Sequence, residues 1–164
     1  MKKFSYLFLI FFMLVILIVY FSVYRRVNLY YVNDAGELQS FRTEKIVFPL
    51  NKAKAARKVL EMLTEPGYMD NFNLEIADYM KVKKVEVERN HCVITAEWGN
   101  IGGNLSSFSE DMGLMVIFKS INGFNKNIDT FRFVHINKNP FKHISTDFWI
   151  KLDNNNLIIE GQIL

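Results

Sequence analysis

The sequence predicts an α+β domain that follows an N-terminal transmembrane helix. Three observations carry this prediction. Residues 4–24 contain no charged side chain and eight aromatic ones. Two later segments repeat apolar residues at helical spacing, and several short segments alternate β-branched residues around turn-forming ones. We expect a small mixed or antiparallel sheet with two helices packed on one face. The predicted organisation is an anchor at 1–26 and a single domain at 27–164.

The apolar run at 4–24 has the length of a membrane-spanning helix. At about 1.5 Å per residue it extends roughly 32 Å, and the hydrocarbon core of a bilayer is about 30 Å thick. Basic pairs at 2–3 and 25–26 flank the run. Because the two flanks carry nearly equal positive charge, the charges do not decide on which side of the membrane each end lies. A cleaved signal peptide is the alternative, but its apolar region is usually shorter and ends at a small-residue cleavage site. No cysteine stands nearby to carry a lipid, so we expect an uncleaved single-pass anchor in the cytoplasmic membrane.

The charge balance gives no general bias toward nucleic acid. The chain has 20 Lys and Arg against 17 Asp and Glu, a net charge of +3. Lys2 and Lys3 precede the apolar run, so the rest of the chain carries 18 − 17 = +1. A near-neutral domain attracts no polyanion in particular, and nucleic acid is not an expected partner.

The first half of the domain predicts a hairpin and a helix. Val27–Val32 and Leu38–Phe41 flank the turn-forming segment Asn33–Gly36. Asn51 is placed to cap a helix over Lys52–Thr64, because a short polar side chain accepts a hydrogen bond from the first helical turn. Ala53, Ala56, Leu60 and Leu63 share one face of that helix, with Val59 beside them.

The second half predicts more strands around a second helix. Val82–Val87 and Val93–Glu97 read as a hairpin around Arg89-Asn90. Ser107 and Glu110 have the spacing of a capping box, which opens a helix that runs to about Ile121 and stops at Asn122-Gly123. Apolar residues occupy most sides of this helix, which predicts that it is well buried. Further strands are expected at 131–136, 148–152 and 157–163.

A search for catalytic chemistry assigns no catalytic, cofactor-binding or metal-binding residue. His91, His135 and His143 lack the spacing of metal-ligand pairs. Cys92, the single cysteine, cannot form an internal disulfide, and on a strand it points away from its neighbour His91. We expect Cys92 to be a small buried apolar residue. Glu110 and Asp111 are expected in the first turn of the helix, where carboxylates complement the helix dipole.

Two features leave a binding function open. Trp98 and Trp149 could stack on a glycan, although single tryptophans in strands usually pack in the core or at its rim. A basic cluster on the predicted first helix could contact anionic lipid, although most such clusters are solvated helix faces; its members are Lys52, Lys54, Arg57 and Lys58.

The order of segments resembles the GerMN domain family, over roughly residues 28–150. The resemblance rests on Leu29–Leu38, Lys54–Pro66, Val85–Trp98, the helix that ends in residues 121–124, and Phe131–Ile136. It implies an extracytoplasmic α+β module attached to a bacterial cell envelope, with no known catalytic constellation. It also implies a fold similar to ring-building motifs, in which two helices pack on a three-stranded sheet and copies assemble through helices and sheets.

The resemblance places the N-terminus inside the cytoplasm and the domain outside it. The predicted function is therefore that of a non-enzymatic, membrane-anchored envelope protein, without cofactors, that acts through contact with another protein or by self-assembly. A module that binds cell-wall glycan or lipid is the alternative. The sequence does not name the envelope partner.

Overall fold

The computed structural model describes residues 2–23, 25–33, 35–47, 51–65, 79–99 and 106–160. Within them the helices are α1 (Lys2–Val23), α2 (Lys52–Leu63) and α3 (Ser107–Phe124). The strands are β1 (Arg25–Val32), β2 (Leu38–Val47), β3 (Met80–Glu88), β4 (His91–Trp98), β5 (Thr130–His135), β6 (Ile150–Asp153) and β7 (Asn156–Ile159).

The described strands form two sheets. β1 and β2 make an antiparallel hairpin, and the other five strands follow the order β3-β4-β5-β6-β7. Neighbours in the larger sheet are antiparallel except β4 and β5, which are parallel. A parallel pair needs a crossover, and α3 lies in the connection between these two strands. The α+β class is confirmed, but the expectation of one sheet with helices on one face is wrong, because β1 and β2 form a separate sheet.

Helix α3 packs against both sheets. On one side the Phe118 ring stacks on Phe131 of β5, with ring centroids 4.2 Å apart. On the other side the hydroxyl of Ser120 accepts a hydrogen bond from the backbone N–H of Tyr30 in β1, at 3.0 Å. A helix enclosed in this way has little solvent-facing surface, which explains why apolar residues occupy most of its sides.

Gly123 is part of α3 rather than its stop. The helix runs on to Phe124, so the predicted end at Asn122-Gly123 is short. A Cβ atom at Gly123 would lie 3.3 Å from the backbone oxygen of Asn28 and 3.3 Å from the Tyr30 ring. The glycine therefore permits the close approach of β1 to the helix.

The helix caps agree in part with the sequence. Asn51 caps α2 as predicted, since its Oδ1 accepts a hydrogen bond from the N–H of Lys54 at 3.0 Å. The cap of α3 is Ser106 rather than Ser107, and its hydroxyl accepts from the N–H of Ser109. The hairpin around Arg89-Asn90 is confirmed. Pro66-Gly67, most of the connection at 67–81 and the predicted strand end at 161–163 lie outside the described residues.

The predicted membrane anchor is contradicted. Within the described ranges no helix is long and apolar enough to cross a membrane. The side chains that the structure describes in α1 are those of residues 6–18, which are exposed and apolar. The predictions of a transmembrane helix at 4–24 and of a single-pass location in the cytoplasmic membrane are corrected accordingly.

Candidate binding cleft on the open face of the sheet

The two faces of the five-stranded sheet have different environments. Along β4, alternate side chains are buried on the helix side of the sheet: Cys92, Ile94, Ala96 and Trp98. The intervening side chains are only partly buried and belong to the opposite face, here called the open face: His91, Val93, Thr95 and Glu97. Because successive side chains of a strand alternate, the register extends the open face to Arg132 and Val134 of β5 and to Lys151 of β6.

The open face exposes large apolar side chains. Val134 of β5 is 41% exposed, and Ile136, just beyond the end of that strand, is 54% exposed. Ile158 of β7 pairs with Lys151 and is 46% exposed. The helix-facing residues Phe131 and Phe133 of β5 are buried, so one face of the sheet belongs to the core and the other is available for contact.

A cleft of about 480 Å³ opens on this face at the β3–β4 turn. One wall comes from the end of β3 and the turn, the floor from β4, and the other wall from the residue before β6. Its lining residues are Glu86, Glu88, Arg89, His91, Val93 and Trp149. The volume lies within the range of small-molecule sites, about 300–1,000 Å³.

Two neighbours hold the indole of Trp149. The guanidinium carbon of Arg132 lies 4.9 Å from the centroid of the indole ring, a cation–π contact. The imidazole of His91 meets the same indole in a T-shaped arrangement, with centroids 4.8 Å apart. Within the described residues, the buried Nε of Arg132 has no hydrogen-bond partner. Trp149 is therefore a positioned and partly exposed aromatic wall.

Trp98 is a core residue and is not available to a ligand. It is 2% exposed, and its Nε1 donates a hydrogen bond to Nδ1 of His135 at 2.9 Å. Since Nδ1 accepts, neutral His135 carries its proton on Nε2, which lies 2.8 Å from the hydroxyl of Thr146. Burial lowers the pKa of His135, which favours this neutral form. Of the two tryptophans singled out in the sequence, only Trp149 faces the cleft.

The cysteine and the three histidines do not form a catalytic or metal-binding group in the described residues. Cys92 is fully buried, and burial raises the pKa of its thiol to about 12. The prediction of a small buried residue on the face opposite to His91 is confirmed. His135 lies beside Trp98, whereas His143 is an exposed loop residue. Among the residues that the structure describes, no three His, Cys, Asp or Glu side chains are grouped to hold a metal ion.

Glu110 has a role that the sequence did not reveal. Its side chain is completely buried, and its carboxylate accepts hydrogen bonds from the backbone N–H groups of Lys142, His143 and Ile144 at 2.8–3.1 Å. Glu110 lies in the first turn of α3, as predicted, but its carboxylate is bound by the N–H groups of a distant loop. Burial, and then the charge of Glu110, raise the pKa of Asp111. No local pattern signals a carboxylate whose partners lie more than 30 residues away.

The basic cluster of α2 lies on a solvated helix face. Lys52, Lys54, Arg57 and Lys58 are all exposed. Arg57 and Lys58 both contact the carboxylate of Glu61, at 3.0 and 3.4 Å. Such exposed pairs are each worth about 0.3–0.5 kcal/mol. Binding of anionic lipid by this cluster stays a prediction.

Comparison with known proteins shows a similarity of fold. No family model matches the chain, and no curated protein matches it. The tandem GerMN domains of the sporulation protein GerM from Bacillus subtilis match with a TM-score of 0.50 and 8% identity, over 83% of this chain and 47% of that chain. A candidate lipoprotein from Clostridium perfringens matches with a TM-score of 0.47 and 13% identity, over 84% and 89% of the two chains.

This chain thus spans about half of the GerM chain that it matches. At this level of identity the likeness concerns the fold alone. It agrees with the resemblance drawn from the order of segments: the fold of this chain is similar to that of a GerMN domain.

Proposed function

We propose that this protein is a non-enzymatic interaction module of the bacterial cell envelope, and that it works by binding a second copy of itself. The observation that carries the proposal is the open face of the sheet. Val134 and Ile136 project from it at 41% and 54% exposure, although equivalent side chains on the helix side are buried. Exposed apolar groups clustered on one face are typical of protein-binding surfaces.

The choice of a second copy has two supports. The GerMN resemblance implies a fold similar to motifs that assemble from like domains. The Bacillus subtilis chain carries two such domains in tandem, and this chain covers 47% of it, the share of one domain. A second copy would supply the other domain of such a pair. A symmetric pair of open faces would be self-complementary, as in most homodimers.

The absence of an enzymatic role is part of the proposal. Its support is the placement of the reactive groups: Cys92 is buried as a thiol, and His135 is engaged with Trp98 and Thr146. Neither lies in the Trp149 cleft. The envelope location rests on the GerMN resemblance.

The test is co-purification of two differently tagged copies of the full chain that are expressed together. Both copies are kept in mild detergent, because α1 exposes apolar side chains. We expect the two tags to co-purify, and Val134→Asp to abolish co-purification because a charge would be buried in the interface. Phe108→Asp is the matched control, since Phe108 is also apolar and exposed but lies on α3. The proposal is contradicted if the Val134→Asp copies co-purify as well as the unaltered ones. It is also contradicted if two unaltered copies do not co-purify.

A further inference from the structure

The cleft at Trp149 offers the elements of a saccharide site. It combines one aromatic wall with several hydrogen-bonding side chains in about 480 Å³. A sugar ring has an apolar face of C–H groups and a rim of hydroxyls, so it fits best where an aromatic ring stands opposite polar side chains.

The aromatic wall is held in place before any ligand arrives. The guanidinium carbon of Arg132 lies 4.9 Å from the centroid of the Trp149 indole. The His91 ring meets the same indole in a T-shaped arrangement, with centroids 4.8 Å apart. An indole that is already oriented loses little side-chain entropy when a ligand stacks on it. A mobile surface tryptophan would lack this advantage.

The polar wall is also fixed by its surroundings. Glu88 and His91 flank the turn Arg89-Asn90, in which Arg89 adopts a left-handed conformation with φ of 55°. The side chain of Asn90 donates to the Asp129 carboxylate at 2.9 Å, and its backbone oxygen accepts from the N–H groups of Asp129 and Thr130. The turn is thereby attached to the start of β5. The backbone that carries Glu88 is therefore fixed, and the exposed Glu88 side chain extends from it into the cleft.

Charges of both signs surround the cleft. Glu86 and Glu88 contribute two negative charges, and Arg89 together with Arg132 contributes two positive ones. Glu86 is further compensated by Lys84, whose Nζ lies 2.8 Å from it. Glu88 forms no ion pair within the described part of the chain, so its oxygens remain acceptors for hydroxyl groups. Because charges of both signs lie side by side, the cleft has no single-sign field that would select a cationic side chain or a phosphate, and a neutral ligand suits it.

We propose that this cleft binds a sugar ring of an uncharged glycan, with Trp149 as the stacking surface and Glu88 and His91 as hydrogen-bonding partners. The cleft occupies the end of the open face at the β3–β4 turn, and Val134 and Ile136 lie farther along β5 and just beyond its end, so the glycan and a second copy would meet adjacent parts of the same face. The two functions fail independently: loss of self-association leaves the cleft intact.

Titration calorimetry of the full chain with two probes tests the proposal. The probes are a tetrasaccharide of N-acetylglucosamine and one of glucose, which distinguish an amino-sugar polymer from a plain glucan. We expect saturable binding of at least one, with Trp149→Ala weakening it at least about tenfold and Trp149→Phe retaining part of it. Glu88→Ala should weaken binding as well. Phe148→Ala, at an exposed neighbour that does not line the cleft, should bind like the unaltered chain.

Three results would overturn the proposal. The first is the lack of saturable binding of either tetrasaccharide up to about 10 mM, a limit that corresponds to a negligible affinity. The second is unweakened binding by a Trp149→Ala chain whose near-ultraviolet spectrum shows a native fold. The third is binding of a tetralysine peptide without binding of either sugar, which would make the cleft a site for cations. The Val134→Asp chain, tested in parallel, should still bind the sugar.

Discussion

The carboxylate of Glu110 accepts a hydrogen bond from the backbone N–H of His143 at 2.8 Å, across 33 residues of sequence. The same carboxylate binds the N–H groups of Lys142 and Ile144. The first turn of α3 therefore holds the loop between β5 and β6. Since this loop leads to Trp149, a buried residue of the helix fixes the segment that forms one wall of the cleft.

We predict that Glu110→Ala lowers the free energy of unfolding by roughly 3 kcal/mol, because three backbone N–H groups lose a charged, buried acceptor. Glu110→Gln retains one acceptor oxygen and should cost less. Urea unfolding followed by tryptophan fluorescence measures both. Asp111→Asn serves as control: it lies on the same turn, and the raised pKa of Asp111 shows that its charged form is not favoured there. A Glu110→Ala chain as stable as the control would contradict the prediction.

A pH dependence of stability is expected from His135. Burial lowers its pKa below the ordinary value of 6.5, and the Asp147 carboxylate, 3.8 Å from Nε2, opposes this shift only in part. The unfolded chain therefore takes up a proton at a higher pH than the folded one. The free energy of unfolding should fall as the pH drops below about 6.5, and level off once the folded imidazole is protonated.

Unfolding measured between pH 8 and pH 5 checks this expectation. His135→Gln should flatten the decline, since an amide does not titrate, whereas His143→Gln at the exposed loop position should leave it unchanged. If the His135→Gln chain loses as much stability on acidification as the unaltered one, another group is responsible.

Close packing between α3 and β1 predicts that Gly123→Ala is destabilising. Alanine is the better helix former by about 1 kcal/mol, but its methyl group would lie 3.3 Å from the backbone oxygen of Asn28, which cannot move independently of β1. Overpacking of this kind costs about 1–3 kcal/mol. We expect a net loss of about 1 kcal/mol in thermal or urea unfolding. If the Gly123→Ala chain is more stable than the unaltered one, β1 can shift away from α3 at little energetic cost.

Cys92 should be inert to alkylation while the protein is folded. The thiol is fully buried and its pKa is raised to about 12, so at pH 8 almost no thiolate is present or accessible. Mass spectrometry after treatment with iodoacetamide should show no modification of the native chain and complete modification in urea. Equally fast labelling of both would indicate that the core opens readily around β4.

Local patterns predicted the elements whose signals are themselves local. Asn51 caps α2, Arg89-Asn90 joins β3 to β4, and α3, with apolar residues on most of its sides, is buried. Capping, turn formation and helix burial depend on residues a few positions apart. The single large error at this level concerns the N-terminal run. Its composition predicted a membrane-spanning helix, which the described residues do not contain.

The α+β class, the order of most elements and the burial of Cys92 could be predicted from the residues alone, because each follows from periodicity along one strand or helix. Tertiary structure decided what depends on the register between distant segments. It separated β1 and β2 into their own sheet, gave Glu110 its partners at residues 142–144, and buried Trp98 while leaving Trp149 beside a cleft. Two tryptophans in strand-like surroundings look alike in sequence, and only the packing of β4 against β5 and α3 distinguishes the core residue from the surface one.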